Sequence, residues 1–316
     1  MPKRLIFRVI LVIICSMSLM ETQAQQRAIF SQYIFDGLIL NPAYAGSHVQ
    51  MSTTITHRDQ WINFEGAPKT QTLSTHVGLA QNKVGLGLLV GNDQVGIHKE
   101  FSFFGSYAYK IKFPTGTLSM GLQAGFNHRT SDFNQLTLSD NGDPYFIGRV
   151  TKFSPNFGTG VYYYNEKFFA GFSIPYLLNN KILDNTADII EEIKETRNYY
   201  LTGGLLLPMN RTQTIMFKPS VLIRAQEGAP LSFDLTANVI FYDIIGIGST
   251  YRNIEGIITY INLRVLENLY FGYGYDWTQS DINNFSNGSH EFTLNYRIRL
   301  EGIHKPAECP SYFQLK

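Results

Sequence analysis

Short stretches of alternating apolar and polar residues run through most of this chain, and they limit its fold more than any other feature. The clearest is His290 to Leu300, where apolar residues occupy every second position and polar or charged residues stand between them. Side chains alternate between the two faces of a β-strand. A strand that is apolar on one face and charged on the other is typical of a barrel wall between lipid and a wet lumen.

Fourteen such stretches are separated by turn residues, and most approach the ~10 residues of a tilted membrane-spanning strand. We therefore predict an all-β protein: a 14-stranded antiparallel transmembrane β-barrel over residues 48–300, with short periplasmic turns and long extracellular loops. A soluble β-sandwich would not need so many consecutive strands. The predicted strands are 48–59, 69–79, 83–92, 98–112, 117–129, 154–164, 167–175, 198–207, 213–224, 231–241, 244–252, 256–264, 268–276 and 289–300.

The lengths of the connections support this orientation. If the N-terminus lies in the periplasm, the connections after even-numbered strands should be short turns, and they are, as at Asn165-Glu166 and Tyr242-Asp243. The 19 Tyr and 23 Phe residues also suit a barrel, because aromatic girdles mark both of its water interfaces. Three of the other connections are long: Thr130 to Phe153, Tyr176 to Arg197 and Trp277 to Gly288.

The N-terminal residues of the chain predict export. Residues 1–24 have the parts of a secretory signal peptide, with a positive end, an apolar core over 9–20, and small Thr22 and Ala24 at positions −3 and −1 of the cut. An uncleaved anchor is disfavoured because the apolar run is shorter than the ~20 residues that a span needs. We assign the protein to the outer membrane, in contact with its lipid, and residues 301–316, with the lone mature cysteine Cys309, to a periplasmic tail.

The polar face of the strands predicts the lining of the lumen. A charge that faced lipid at mid-bilayer would cost roughly 2–4 kcal/mol, so charged residues should point inward. The lumen is then mixed in charge and leans basic, which suits either a self-paired, plugged interior or an anion path. The residues predicted to face inward include Lys110, Lys112, Gln123, Asn127, Arg129, Lys218, Arg224, Asp234, Asn238, Arg264 and Asp276.

Residues 25–47 predict no strand and form a separate N-terminal segment. Gln32 to Leu40 can form a short amphipathic helix that ends at Asn41-Pro42. Its apolar residues should pack into the bottom of the barrel as a plug or against a partner. Within this segment we take Asn41, Pro42 and Tyr44 as candidate partner-binding residues. Glycines inside the predicted strands would make room for a plug or a partner.

The outer loops supply the remaining candidates for partner binding. Glu191 and Glu192 lie in the long connection from 176 to 197, and connections beyond ~12–15 residues are usually functional or disordered. This loop could cap the mouth and contact a partner, or be a solvated loop without one. Tyr275, Asp276 and Trp277 lie at the outer rim, where aromatic residues serve as interface contacts or as girdle residues.

Enzyme and metal chemistry find little support. A zinc site needs clustered ligands, whereas His48, His57 and His76 have no close ligand spacing. Ser139 to Pro144 lacks the glutamate that completes a calcium loop, and Ser74 with His76 is too little to indicate a lipase. The net charge of +1 argues against a nucleic-acid partner. We predict no catalytic residues and no cofactor.

The sequence resembles a known family. The string FSQYIFDGLILNPAYAGS, residues 30–47, is similar to the opening of the PorP/SprF family, outer-membrane proteins of the type IX secretion and gliding-motility machinery of Bacteroidota. The resemblance continues through HRDQW at 57–61 and FEGAP at 64–68, and returns at 271–276 and 288–292.

The resemblance implies a function in secretion. It suggests a barrel that helps to export a secreted surface adhesin with a type B C-terminal domain, or anchors it at the cell surface. Components of the type IX secretion machinery are the other implied partners. A channel for small solutes, such as anions, is the alternative.

Overall fold

Fourteen antiparallel strands close into a barrel, which confirms the predicted fold class. The computed structural model describes residues 33, 35–48, 50–135, 148–180, 196–253, 256–278 and 285–299. The sheet closes on itself because β1 pairs with β15 and β10 pairs with β11. Leu206 interrupts one strand of the barrel, so that β8 and β9 together count as a single strand of the wall. The strands are β1 Met51–Asp59, β2 Lys69–Leu79, β3 Val84–Val95, β4 His98–Phe113, β5 Gly116–Asp132, β6 Arg149–Tyr164, β7 Phe168–Ile174, β8 Asn198–Leu205, β9 Leu207–Pro208, β10 Ile215–Gln226, β11 Ser232–Phe241, β12 Ile245–Arg252, β13 Gly256–Leu266, β14 Leu269–Thr278 and β15 Ser289–Ile298.

The two faces of the strands follow the predicted alternation. On β15, Glu291 and Arg297 are buried in the interior, whereas Phe292 and Leu294 between them are exposed on the outer surface, where lipid lies. Most of the side chains predicted to face inward are buried there. Lys112 is an exception, because it is exposed at the periplasmic end and its Nζ donates to the Gln81 carbonyl, 2.7 Å away. The buried members of the predicted lining are Lys110, Gln123, Asn127, Lys218, Arg224, Asp234, Asn238 and Asp276.

The short turns identify the periplasmic end. Tyr242 and Asp243 have φ values of +52° and +53°, the left-handed pair of a type I′ hairpin, whose twist matches that of its strands. Met51 at the start of β1 and Ile298 at the end of β15 lie at the same end, where they pair with each other. Both chain ends of the barrel wall are therefore periplasmic.

The N-terminal segment differs from its prediction. Instead of one helix over 32–40, it contains the 3₁₀ turns η1, Gly37–Ile39, and η2, Pro42–Tyr44. Asp36 interrupts the helical pattern, since its φ and ψ of −136° and 86° are extended and its side chain accepts from the Leu38 N–H at the start of η1. A third turn, η3, covers Phe133–Gln135. In the part of the chain that the structure describes, no helix is long and apolar enough to cross a membrane.

Candidate functional site

A row of small residues crosses the inner wall from β2 to β7. Its members lie directly opposite one another in the ladder, so the row runs along the hydrogen-bonding direction of the sheet. Because no large side chain rises from it, this part of the wall presents its backbone to the lumen. The small-residue row consists of Gly78, Gly85, Ala108, Gly121, Gly160 and Ser173.

The backbone of residues 41–46, with the sequence NPAYAG, lies on the small-residue row. A Cβ atom at Gly121 would overlap the backbone of Ala43, and one at Gly85 would overlap the carbonyl group of Ala45. Only glycine allows two backbones to approach this closely. The wall and the segment are therefore complementary in shape, and residues 41–46 pack inside the barrel.

Asn41 connects this segment to two strands. Its Nδ2 donates to the Val161 carbonyl of β6 at 3.0 Å and to the Phe172 carbonyl of β7 at 3.4 Å. Its Oδ1 accepts from the Ala43 N–H at 2.9 Å, which caps η2, and Pro42 occupies the first position of that turn, where it needs no donor. The Nδ2 group thus holds the segment on the wall, while Oδ1 fixes the turn that follows within the segment.

Wall side chains satisfy carbonyl groups of the segment. Buried backbone groups need such partners, because an unpaired one would lose the hydrogen bonds that it makes to water. Each of the three donors comes from a different strand, so the segment ties β4, β5 and β7 together. Ser173 Oγ donates to Leu40 at 2.6 Å, Ser119 Oγ to Ala43 at 2.7 Å, and Lys110 Nζ to Gly46.

Asp36 holds the part of the N-terminal segment that precedes residues 41–46. Its carboxylate accepts from Ser74 Oγ on β2 and from the Leu38 N–H, 3.1 Å away. Burial raises the pKa of Asp36 from 3.8 to about 6. The Asp36 carboxyl group therefore holds its proton more tightly in the docked segment than in the unfolded chain. Its contribution to the free energy of unfolding decreases as the pH rises from 3.8 towards about 6.

Two histidines that are far apart in the sequence meet in the interior. The ring centroids of His48 and His76 are 4.9 Å apart, although no close spacing in the sequence connects these two residues. The Tyr44 hydroxyl hydrogen-bonds to His48 Nε2 at 3.0 Å, and the Gly46 N–H donates to His76 Nδ1 at 3.2 Å. Burial, with a smaller effect of nearby cationic groups, lowers the pKa of His48 well below its usual value. The described residues contain no group of three or more His, Cys, Asp or Glu that could hold a metal ion.

Replacing Asn41 by Asp should weaken the attachment of the segment. The change keeps the shape but removes the two donors to Val161 and Phe172 and turns a carboxylate oxygen towards their carbonyl oxygens. We expect the free energy of unfolding to fall by about 1–3 kcal/mol, measured by urea titration of the protein in detergent. Asn180→Asp is the control, because its amide donates to Pro155 at an exposed site. Equal losses in both variants would contradict the role of Asn41.

A buried ionic cluster occupies the outer half of the barrel seam. Arg58 of β1 contacts Asp276 of β14 at 2.9 Å and Glu291 of β15 at 3.1 Å. All three side chains are almost completely buried. Asp276, a predicted partner-binding residue, thus lies inside the barrel, where Arg58 links the last two strands to the first.

The neighbouring aromatic candidates lie on the outer face of β14. Trp277 is 57% exposed and its Nε1 donates to Thr259 Oγ1 at 3.1 Å. The Tyr275 hydroxyl donates to the Asn287 carbonyl at 3.1 Å, and the two rings meet edge to face with centroids 4.7 Å apart. These positions are the ones that girdle aromatics occupy in membrane barrels.

The first and last outer loops form a joined surface beside this rim. Ile62 and Gly288 are connected by an N–H···O bond of 2.9 Å, and the Asn287 N–H donates to the Ile62 carbonyl at 2.9 Å. The rings of Trp61 and Phe64 pack at 6.5 Å, while Phe64 and Phe285 are 43% and 71% exposed. We call Trp61, Phe64 and Phe285 the aromatic platform.

The aromatic platform was not among the predicted site residues. Trp61 has φ +46°, which a bulky residue rarely adopts and which is often associated with functional positions. The available signal was a pair of aromatic residues, Trp61 and Phe64, between the first two strands. Several predicted features lie outside the described residues: the signal peptide over 1–24, Glu191, Glu192, the stretch from 139 to 144 and Cys309.

Comparisons with known proteins assign the chain to a family. A family model described as "Type IX secretion system membrane protein PorP/SprF" matches residues 22–296. The chain belongs to the PorP/SprF family. This membership and the barrel fold locate the protein in the outer membrane, and PorP/SprF proteins are associated with type IX secretion. None of the curated proteins compared with the chain matches it.

Solved structures of other barrels are similar to this PorP/SprF protein at low identity. The CymD monoaromatic hydrocarbon channel has a TM-score of 0.50 and 11% identity, and the match covers 85% of this chain and 94% of CymD. The outer membrane protein Omp33 of Acinetobacter baumannii has a TM-score of 0.47 and 5% identity, with 79% and 99% covered. The likeness to CymD is one of fold alone.

Proposed function

We propose that this barrel binds, at its outer mouth, a secreted adhesin with a type B C-terminal domain, and that it helps to export the adhesin or anchors it at the cell surface. The aromatic platform carries this proposal. Large aromatic side chains that stay exposed beyond the strand ends are characteristic of protein interaction sites. The hydrogen bonds between the two loops hold them in place, which lowers the entropy lost on binding.

The interior suits an anchor. We propose that residues 25–47 serve as a plug, with Asn41, Pro42 and Tyr44 holding it to the wall rather than binding a partner directly. The surface for an adhesin is then the set of outer loops, including the one with Glu191 and Glu192. Tyr275 and Trp277 would border that surface, and Asp276 would support it through Arg58.

Affinity purification tests the proposal. The tagged protein is isolated from native outer membranes, and its companions are identified by mass spectrometry. We expect a large surface protein with a type B C-terminal domain. Recovery of periplasmic machinery components alone would contradict adhesin binding and indicate a structural role in the secretion complex.

The variant Phe64→Ala/Phe285→Ala should lose this companion. Two exposed aromatic contacts at an interface centre typically contribute ~2 kcal/mol or more each, so we expect recovery of the adhesin to fall at least about tenfold. Phe113→Ala is the matched control, because Phe113 is an exposed aromatic residue at the opposite, periplasmic end of β4. Undiminished recovery with the double variant would exclude the aromatic platform as the binding surface.

The second candidate is a channel for small solutes, such as anions. The basic residues of the lumen, including Lys110, Lys218 and Arg297, favour it. Conductance of the purified protein in planar bilayers separates the two candidates. A steady open conductance would support the channel, whereas a barrel with residues 41–46 packed on its wall should remain closed.

A further inference from the structure

A cavity of about 710 Å³ opens at the periplasmic end of the barrel. Its size falls within the ~300–1,000 Å³ of typical ligand pockets. The ends of β13 and β15 and the turns that follow β9, β11 and β13 form its walls. Gln50, Gln213, Arg264, Glu267, Arg297 and Arg299 contribute to the lining.

Tyr270 orders one of the three arginines in this lining. The Arg297 guanidinium lies over the Tyr270 ring, with Cζ 4.5 Å from the ring centroid, and its Nε donates to Asn295 Oδ1 at 2.9 Å. Tyr270 is itself completely buried, and its hydroxyl donates to the Glu267 carbonyl at 3.3 Å. A guanidinium group fixed in this way loses little side-chain entropy when it binds an anion.

We propose that the cavity binds an acidic peptide segment of a periplasmic protein. Guanidinium groups form paired hydrogen bonds with carboxylates. The side-chain amides of Gln50 and Gln213 can both donate to and accept from peptide groups. Asp243 and Glu267 also line the cavity, and their carboxylates can accept from backbone N–H groups, which a peptide has and a phosphate lacks. The mixed lining therefore fits a peptide better than a phosphorylated headgroup.

This site is independent of the proposed adhesin surface. The aromatic platform lies beyond the outer ends of β1 and β15, whereas the cavity lies at the end that contains Met51 and Ile298. A failure of adhesin binding would leave the cavity proposal unaffected, and the reverse is also true.

The test measures binding of a fluorescently labelled hexaglutamate peptide to the full-length protein in detergent, by fluorescence anisotropy. We expect saturable binding and a Kd raised about tenfold or more by Arg264→Gln/Arg299→Gln, since two charge-assisted contacts are lost. Arg149→Gln is the matched control, because Arg149 is exposed at the outer end of β6. It should leave the Kd unchanged.

Two further measurements keep the proposal falsifiable. Heat-modifiable mobility on gels reports whether each variant is folded, and if the double variant is not, the exposed Arg299→Gln alone should still raise the Kd several-fold. An unchanged Kd in folded variants would overturn the proposal. Displacement of the labelled peptide by inorganic phosphate as effectively as by unlabelled peptide would also overturn it, in favour of a phosphorylated headgroup.

Discussion

Replacing Gly121 with Ala should displace residues 41–46 from the inner wall. The added Cβ atom would overlap backbone atoms of Pro42 and Ala43, which cannot move aside as a flexible side chain can. Overpacking of this kind costs about 1–3 kcal/mol, and occasionally more. We expect the upper end of that range or beyond in the free energy of unfolding, measured by urea titration in detergent, and new protease cleavage sites between residues 33 and 48.

Gly105→Ala provides the matched control on the next strand. Gly105 is also in the middle of a strand, but the nearest atom to its added Cβ is 4.0 Å away. Alanine generally suits a strand at least as well as glycine does, so this variant should be as stable as the parent protein. If Gly121→Ala left both stability and protease resistance at the level of Gly105→Ala, the close contact between the segment and the wall would be refuted.

Replacing Arg58 with Met should be at least as damaging. The change leaves Asp276 and Glu291 as two buried carboxylates without the cation that joins them, and removing one partner of a buried ion pair typically costs about 3–5 kcal/mol. Because Arg58 bridges β1, β14 and β15, the loss should appear at the seam of the barrel. Hydrogen exchange of the backbone amides of β15 would detect this opening.

Two comparisons isolate the charge effect at the seam. Arg129→Met breaks a partly exposed pair with Glu100, for which the expected loss is only ~0–1 kcal/mol. The triple variant Arg58→Met/Asp276→Asn/Glu291→Gln removes all three charges and should recover much of the stability, since a neutral buried cluster avoids the unpaired carboxylates. A triple variant no more stable than Arg58→Met would show that the loss arises from packing.

Local patterns explain why the strands could be predicted from the sequence. The alternation with a period of two is a property of adjacent residues, so the inward positions of Lys110 and Gln123 follow from their neighbours alone. The short turns likewise depend on a few residues, and β2 begins and ends where the pattern predicts. The resemblance in residues 30–47 also predicted the family correctly.

The interior site required information that local patterns do not contain. The small-residue row exists only when Gly85, Gly121 and Gly160 come into register, and register depends on every intervening turn. The contact between Arg58 and Asp276 joins positions 218 residues apart. The contact between His48 and His76 could not be predicted for the same reason. In the N-terminal segment, helical periodicity did not reveal that Asp36 would act as a cap.

The long reach of Asn41 has a consequence for the order of assembly. Asn41 lies near the N-terminal end of the described residues, yet its acceptors on β6 and β7 come 120 and 131 residues later. Closing such large loops is entropically costly, and the Asn41 contacts can form only after β6 and β7 have joined the sheet. Pairing of β15 with β1 then encloses the segment. Complete docking of NPAYAG is therefore a late step of assembly. A barrel that lacks one of its middle strands would not have the full binding surface for residues 41–46 and would leave them exposed to periplasmic proteases.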